Sequence, residues 1–271
     1  MTGFTVTVAP NGARRTKADH PALPMTTNEI AQTARACFAA GAAGIHLHVR
    51  DDAGQHSLDA GRYREAIAAI TALAPAMDIQ VTTEAAGIYS VTEQFACLQQ
   101  LQPKAASVSI REMTRDMQAA AQLYAFAAEA GIEVQHILYS PKDVAQLRAW
   151  FDDGTINAQM RSAIFVLGQY TPQILATPDD LTPFLSAAKG LHLDWSICAF
   201  GRHELACAAH AQKLGGHIRI GFENNFDLPN GTPARDNAQL ISLAIAQGNS
   251  LGLNPTQQNG DRHEPHFSAP Q

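Results

Sequence analysis

Short runs rich in β-branched and aliphatic residues alternate along the chain with longer stretches in which Ala, Leu and Gln recur at helical spacing. The alternation repeats eight times before residue 250. It predicts strands over 5–9, 44–49, 78–83, 105–110, 133–139, 163–167, 192–199 and 217–222. Helices are predicted near 27–40, 59–73, 90–101, 116–130, 141–152, 178–188, 202–214 and 233–248. Thr26-Thr27-Asn28-Glu29 has capping-box spacing, Ser90 or Thr92 offers a cap, and Ser140-Pro141 and Thr177-Pro178 set a hydroxyl before an N1 proline. Strict strand–helix alternation implies a parallel sheet. Eight units without a long linker fit closure into a single (β/α)8 barrel of the TIM type better than an open sheet, which needs no particular count. The barrel domain is expected over 1–250. Residues 251–271, rich in Asn, Gln, Pro and His and lacking apolar periodicity, read as a tail, disordered or docked on a neighbour.

The second run, Gly44-Ile45-His46-Leu47-His48-Val49-Arg50-Asp51, places two histidines among aliphatic residues. Strand side chains alternate, so Ile45, Leu47 and Val49 face the helices while His46, His48 and Arg50 face the interior. The same parity turns Gln80, Thr82 and Glu84 inward on strand 3, and Ser107, Ser109 and Arg111 on strand 4. It does the same for His192, Asp194 and Ser196 on strand 7, and for His217, Arg219, Gly221 and Glu223 on strand 8. Barrel interiors filled for stability alone are dominated by branched aliphatics, so this polarity points to function. Active sites of such barrels lie at the C-terminal strand ends, which brings His48, Glu84, Arg111 and Glu223 to one mouth.

Composition narrows the setting. The 271 residues are 46% hydrophobic and 16% charged, enough for one large core, and the formal charge of −6 argues against nucleic acid as a partner. There is no 18-residue apolar run, and the opening Met-Thr-Gly-Phe-Thr-Val leads directly into a strand without a secretory pattern, so a cytoplasmic protein is expected. The four cysteines form no CxxC pair and read as reduced, buried thiols; a nucleophilic role for Cys198 is the minor alternative.

Two imidazoles two apart on a strand project in parallel and suit Zn2+. Strands 2 and 8 both flank strand 1, which makes Glu223 the natural carboxylate third ligand and leaves a coordination position open. The bland alternative is a pair of interior histidines satisfied by hydrogen bonds. A buried arginine needs an anion, so Arg219 and Arg111, with Thr82 and Ser109, describe a pocket for a small carboxylate, unless each is bridged to a protein carboxylate such as Glu84 or Asp194. The basic first loop, with Arg14, Arg15 and Lys17, lies at the same mouth, either solvated or contacting an anion. It is no P-loop, and no dinucleotide fingerprint occurs. His20, His56, His203, His210, His263 and His266 are assigned no role, and His136 reads as a satisfied core histidine.

Together, Asn11-Gly12-Ala13, Thr16 to Thr26, Ala42 to Asp51 and Arg219-Ile220-Gly221-Phe222-Glu223-Asn224 give a sequence that resembles the β-keto acid cleavage enzymes, whose founding activity cleaves 3-keto-5-aminohexanoate. The resemblance runs from about residue 5 to 248. It implies a zinc-dependent TIM barrel, typically a homotetramer, that combines a β-keto acid with acetyl-CoA to give acetoacetate and a new acyl-CoA. It also implies metal ligation by His46, His48 and Glu223, a catalytic Arg219, and zinc contact to the carbonyl and carboxylate oxygens of the keto acid. Two departures stand out: Arg14 where the family usually carries glutamate, and Asn224 where it carries aspartate. An amide cannot act as a general base. Glu84 and Glu112 are the candidate replacements, with Glu84 better placed by parity. Thr82, Ser109, Arg111, Asn224 and Arg14 are the expected substrate-contacting residues of an altered pocket. Two other readings stay open: a metal-dependent lyase or hydrolase acting on a small carboxylate without CoA, and a non-catalytic ligand-binding relative.

Overall fold

A computed structural model describes residues 3–169 and 173–256. Its eight barrel strands are β1 Val6–Val8, β2 Gly44–Leu47, β3 Asp78–Thr82, β4 Ala105–Ser109, β5 Glu133–Leu138, β6 Ser162–Leu167, β7 Asp194–Ala199 and β8 His217–Ile220. They pair in parallel in chain order, with β8 against both β7 and β1, so the sheet closes into a barrel with no free edge. The (β/α)8 TIM-barrel expectation holds. The helices are α1 Thr27–Ala39, α2 Ala60–Leu73, α3 Val91–Leu101, α4 Met117–Glu129, α5 Pro141–Asp152, α6 Leu181–Ala188, α7 Glu204–Lys213 and α8 Asn237–Ser250, with a one-turn helix Ile110–Met113 between β4 and α4.

The local reasons for these elements are those in the sequence. Thr26 and Glu29 form a reciprocal capping box on α1, and Ser90 and Glu93 do the same on α3. Ser140 caps α5 one residue ahead of Pro141. Each such cap is worth roughly 0.5–2 kcal/mol. Small residues on the inner helix faces, among them Ala34, Ala66, Ala127, Ala208 and Ala244, are fully buried and let the helices approach the branched residues Val8, Ile45, Val81 and Val108 on the outer barrel face. His136 also points outward: its Nε2–H donates to the Met160 carbonyl (2.9 Å), and its ring lies against Tyr124 and Phe151.

The interior is divided. On the β5–β7 side Ile137, Ile164, Val166 and Cys198 form an apolar wall. One layer nearer the N-terminal ends of the same strands the interior turns polar: Gln80 Nε2 donates to Gln135 Oε1 (3.3 Å), and Gln135 Nε2 donates on to Ser162 and Ser196. Thus the polar parity of β2, β3 and β8 is real but covers only part of the barrel.

Several strand ends differ from the periodicity. β2 stops at Leu47, and Val49–Arg50 leaves the barrel to pair with His56–Ser57. β4 stops at Ser109 because its side chain caps the Ile110–Met113 turn by accepting from Glu112 N. His192 lies before β7 at φ 49°, outside the strand predicted for it. β8 stops at Ile220, since Gly221 turns at φ 147°; a Cβ there would lie 2.4 Å from the Ala9 carbonyl. At the opposite end of the barrel Asn254–Pro255 pairs with Gly3–Phe4. The remainder of the predicted tail, with His263 and His266, lies outside the described residues.

Candidate metal centre at the barrel mouth

The register explains the convergence. β2 and β8 flank β1, with Arg219 opposite Thr7 and Thr7 opposite Gly44, so His46 and the turn after β8 rise to the same level on either side of β1. His46 and His48 are both buried, their rings 5.0 Å apart and edge-on. Nε2 of His46 and Nε2 of His48 are 3.2 Å apart, with Glu223 oxygens at 3.9 and 3.6 Å respectively. Bonds of about 2.0–2.1 Å to a tetrahedral ion put neighbouring donors roughly 3.3–3.4 Å apart, so the three side chains already approach the spacing of a metal's ligands.

The tautomer is set from below. Gln80, hydrogen-bonded in register with His46 across β2 and β3, accepts from His46 Nδ1 at 2.8 Å. With its proton on Nδ1, His46 presents an Nε2 lone pair to the centre. Burial, followed by the nearby Arg219 charge, holds the His46 pKa well below the usual imidazole value, which keeps the ring neutral and ligand-ready. Burial alone would raise the Glu223 carboxyl, but the Arg219 charge, followed by His48, outweighs it and holds the group below the usual carboxylate range. Arg219 Nη2 sits 3.9 Å from Glu223 Oε1 and donates to the Cys198 sulfur (3.4 Å). Burial pushes that thiol up to about 11, which makes it a poor nucleophile.

A cavity of about 330 Å³ opens above this centre, lined by Arg14, Glu84, Ser109, Arg111, Arg219 and Glu223 among others. Glu84 faces Arg14 across it at 4.0 Å. Burial, with a smaller contribution from the Glu223 charge, raises the Glu84 carboxyl above its ordinary value despite the opposing pull of His48 and Arg14. Glu112 also borders the cavity, but its carboxylate is engaged by Ala85 N and by Gln94 Nε2 at 2.6 Å. Glu84 is therefore the less encumbered of the two.

Not every expected residue meets the centre. Arg111 is not inward: on the turn after β4 it is half-exposed at the rim, lying over the Tyr139 ring and donating to Asp143 (3.3 Å). Thr82 is fully buried beneath the cavity and accepts from Glu84 N (3.0 Å). Asn224 turns away, its Nδ2 donating to Glu204 Oε1 (3.1 Å) and the Arg219 carbonyl (3.2 Å). Glu204 is buried, and burial lifts its carboxyl to about 8 against the hydrogen bonds from Asn224, Gly221 N and Asn225.

Four supports went unnoticed in the sequence. Arg50 donates to the carbonyls of Gly12, Ala13, Arg15 and Gly54, pinning the first loop over the mouth. Gly12, at φ 60°, packs so closely that a Cβ would lie 2.6 Å from Glu223 Cγ. His56, earlier assigned no role, donates from Nε2 to the Glu84 carbonyl (2.8 Å). Glu204 anchors the turn that carries Glu223. Only the inward parity of Arg50 signalled any of these.

Residues 4–263 match the family model described as beta-keto acid cleavage enzyme. A 3-keto-5-aminohexanoate cleavage enzyme of Fusobacterium nucleatum subsp. nucleatum is 29% identical over 265 residues, 93% of each chain. A 3-oxoadipate:acetyl-CoA acetyltransferase of Cupriavidus necator is 31% identical, covering 89% of this chain and 87% of that one. Among solved structures, the ternary complex of ObcA with C4-CoA adduct and oxalate superposes with a TM-score of 0.72 at 15% identity, over 88% of this chain; the match spans 66% of the ObcA chain. Among the described residues, no helix is long and apolar enough to cross a membrane. The family match over nearly the whole chain, on the fold and cluster described above, establishes that this protein belongs to the beta-keto acid cleavage enzymes.

Proposed function

We propose that this enzyme is a zinc-dependent transferase that cleaves a β-keto acid with acetyl-CoA, giving acetoacetate and a new acyl-CoA. The carrying observation is the buried His46, His48 and Glu223 triplet beneath a cavity that also holds Glu84 and Arg219. His46, His48 and Glu223 would hold the metal. A bound Zn2+ supplies Lewis acidity at the keto and carboxylate oxygens, which lowers the cost of negative charge at the carbon between them.

The chain's own groups do the rest. Glu84, raised by burial, is matched to accept the proton from that carbon. The carbanion attacks the thioester carbonyl and displaces the CoA thiolate, which then adds to the substrate's keto carbon. The bond from that carbon to the α-carbon breaks to release the new acyl-CoA and the acetoacetate carbanion, reprotonated by Glu84. Arg219, nearly fully buried, keeps a fixed positive charge under the developing anion. Thr82 holds the Glu84 backbone, and Asn224 holds the turn that carries Glu223. Ser109, Arg111 and Arg14 face the distal part of the substrate. The two rim guanidiniums favour an anionic distal substituent over a cationic one. The relative named for 3-oxoadipate supports that choice. A cytoplasmic homotetramer is proposed on the strength of the family resemblance.

The test combines metal analysis with solvent deuterium exchange at the substrate α-carbon, with and without acetyl-CoA, using His46→Ala as control. Stoichiometric metal, exchange, and acetyl-CoA-dependent acetoacetate are expected. Exchange followed by cleavage without acetyl-CoA would indicate the lyase or hydrolase reading, and absence of exchange the binding-protein reading.

A further inference from the structure

A second cavity, of about 310 Å³, lies beside the mouth, within the roughly 300–1,000 Å³ range of small-molecule sites. It borders the first one directly, because Gln169 and Phe200 line both. Its wall is built rather than incidental. Gln169 and Ile174 exchange two backbone hydrogen bonds (3.0 and 3.1 Å), and Ala176 N donates to the Phe200 carbonyl, which fixes the strip carrying Ile174 and Leu175. Gly201, at φ 92°, lets that strip close in; a Cβ there would lie 2.4 Å from Leu175 Cδ2.

The lining has a particular chemistry. Ile174 is 52% exposed and Leu175 39%, two of the few large apolar residues left open to solvent among the described residues. They face Phe200 and Phe226, and the carboxamides of Gln169, Gln173 and Asn225 lie among them. Arg15 and Asp227 are the charged residues lining it, and the Arg15 guanidinium lies 4.4 Å over the Phe226 ring. This mixture of apolar side chains, carboxamides and one guanidinium matches a neutral, amide-bearing, partly apolar ligand ending in an anion.

We propose that this cavity receives the pantetheine arm of the acyl-CoA co-substrate, with its thioester directed past Gln169 and Phe200 into the mouth and its phosphates toward Arg15. The inference rests on the acetyl-CoA reading above. The cavity at the opposite end of the barrel sets three carboxylates, Asp78, Glu133 and Asp194, against Arg219 and His217, and His217 is already paired with Asp194 (3.1 Å), so it is the less suited to a phosphorylated ligand.

The experiment measures steady-state kinetics of the full chain with acetyl-CoA and with S-acetylpantetheine, which lacks the nucleotide and its phosphates. Leu175→Trp fills the cavity and is expected to raise KM for both thioesters at least tenfold, with KM for the β-keto acid and metal content within twofold of wild type. Ile174→Arg serves as a second block on the solvent side should Leu175→Trp fail to fold. Arg15→Glu is expected to raise KM for acetyl-CoA at least fivefold and leave S-acetylpantetheine unchanged. Unchanged KM for both thioesters in the Leu175 or Ile174 variant overturns the assignment while leaving the transferase reading intact. A wild-type enzyme that turns over without any thioester overturns both.

Discussion

Replacing Gln80 by Leu perturbs the metal centre without touching a ligand. Gln80 Oε1 accepts the His46 Nδ1 proton at 2.8 Å, and its own Nε2 is committed to Gln135, so the carboxamide cannot rotate without losing a partner. Leu is one side-chain atom shorter and accepts nothing, which leaves a buried imidazole N–H unsatisfied at a cost of about 1–3 kcal/mol. Part of that cost is escaped by moving the proton to Nε2, the tautomer that cannot ligate through that atom. The loss therefore appears mainly as metal affinity, about 10–100-fold for such supporting groups, or about 1.4–2.7 kcal/mol. Competition between the protein and a chelator of known affinity, followed by calorimetry, measures it. Gln80→Glu retains an acceptor and is expected to recover affinity to within a few-fold. Wild-type affinity in Gln80→Leu, or equal losses in both variants, would refute the claim that this hydrogen bond sets the His46 tautomer.

Removing the proposed base by Glu84→Gln is expected to lower solvent deuterium exchange by 10²–10⁴-fold with metal content unchanged, since general-base catalysis contributes about that much. Because burial raises the wild-type Glu84 carboxyl, the acid limb of kcat should lie above the ordinary value of 4.5, and an acid limb at or below 4.5 would contradict the assignment. Gly12→Ala forces a Cβ toward Glu223 Cγ in a backbone conformation disfavoured for alanine; a tenfold or greater loss of metal affinity is expected, and an unchanged dissociation constant would show that the loop yields instead. Glu204 has its carboxyl raised to about 8, above its unfolded value, so its contribution is largest below about pH 4.5 and is lost as pH rises toward 8. Wild-type melting temperature should therefore fall relative to Glu204→Gln between pH 5 and 8, whereas parallel melting curves would mean that Glu204 is ionised in the folded protein.

Parity alone reads correctly wherever a strand remains a strand. His46, Gln80 and Arg219 all face the interior, because alternation is a property of extended backbone whatever surrounds it. It fails just past the strand ends, where the chemistry lies. Arg111 was carried inward by extending β4 two residues too far, and the Ser109 side chain that caps the following turn ended the alternation. Glu223 reaches the centre although β8 stops at Ile220, through a turn that only Gly221 permits. Asn224, next in sequence to a candidate ligand, faces Glu204 instead because a tight turn points successive side chains in unrelated directions.

The eightfold alternation, the caps, the inward histidines and the family likeness were determined by the sequence by itself, since each depends on local spacing or on residue identity. Tertiary structure alone decided which carboxylate stands free at the mouth. Glu84 and Glu112 are similar residues at the ends of neighbouring strands, and they differ because Ala85 N and Gln94 reach one while Arg14 faces the other. It also decided that Arg50 clamps the first loop, that Gly12 presses on Glu223, and that Gln80 sets the proton of His46. The contacts of Arg50 with the first loop, of Gly12 with Glu223 and of Gln80 with His46 join residues more than 30 positions apart, and the barrel's closure, not local sequence, sets their distance.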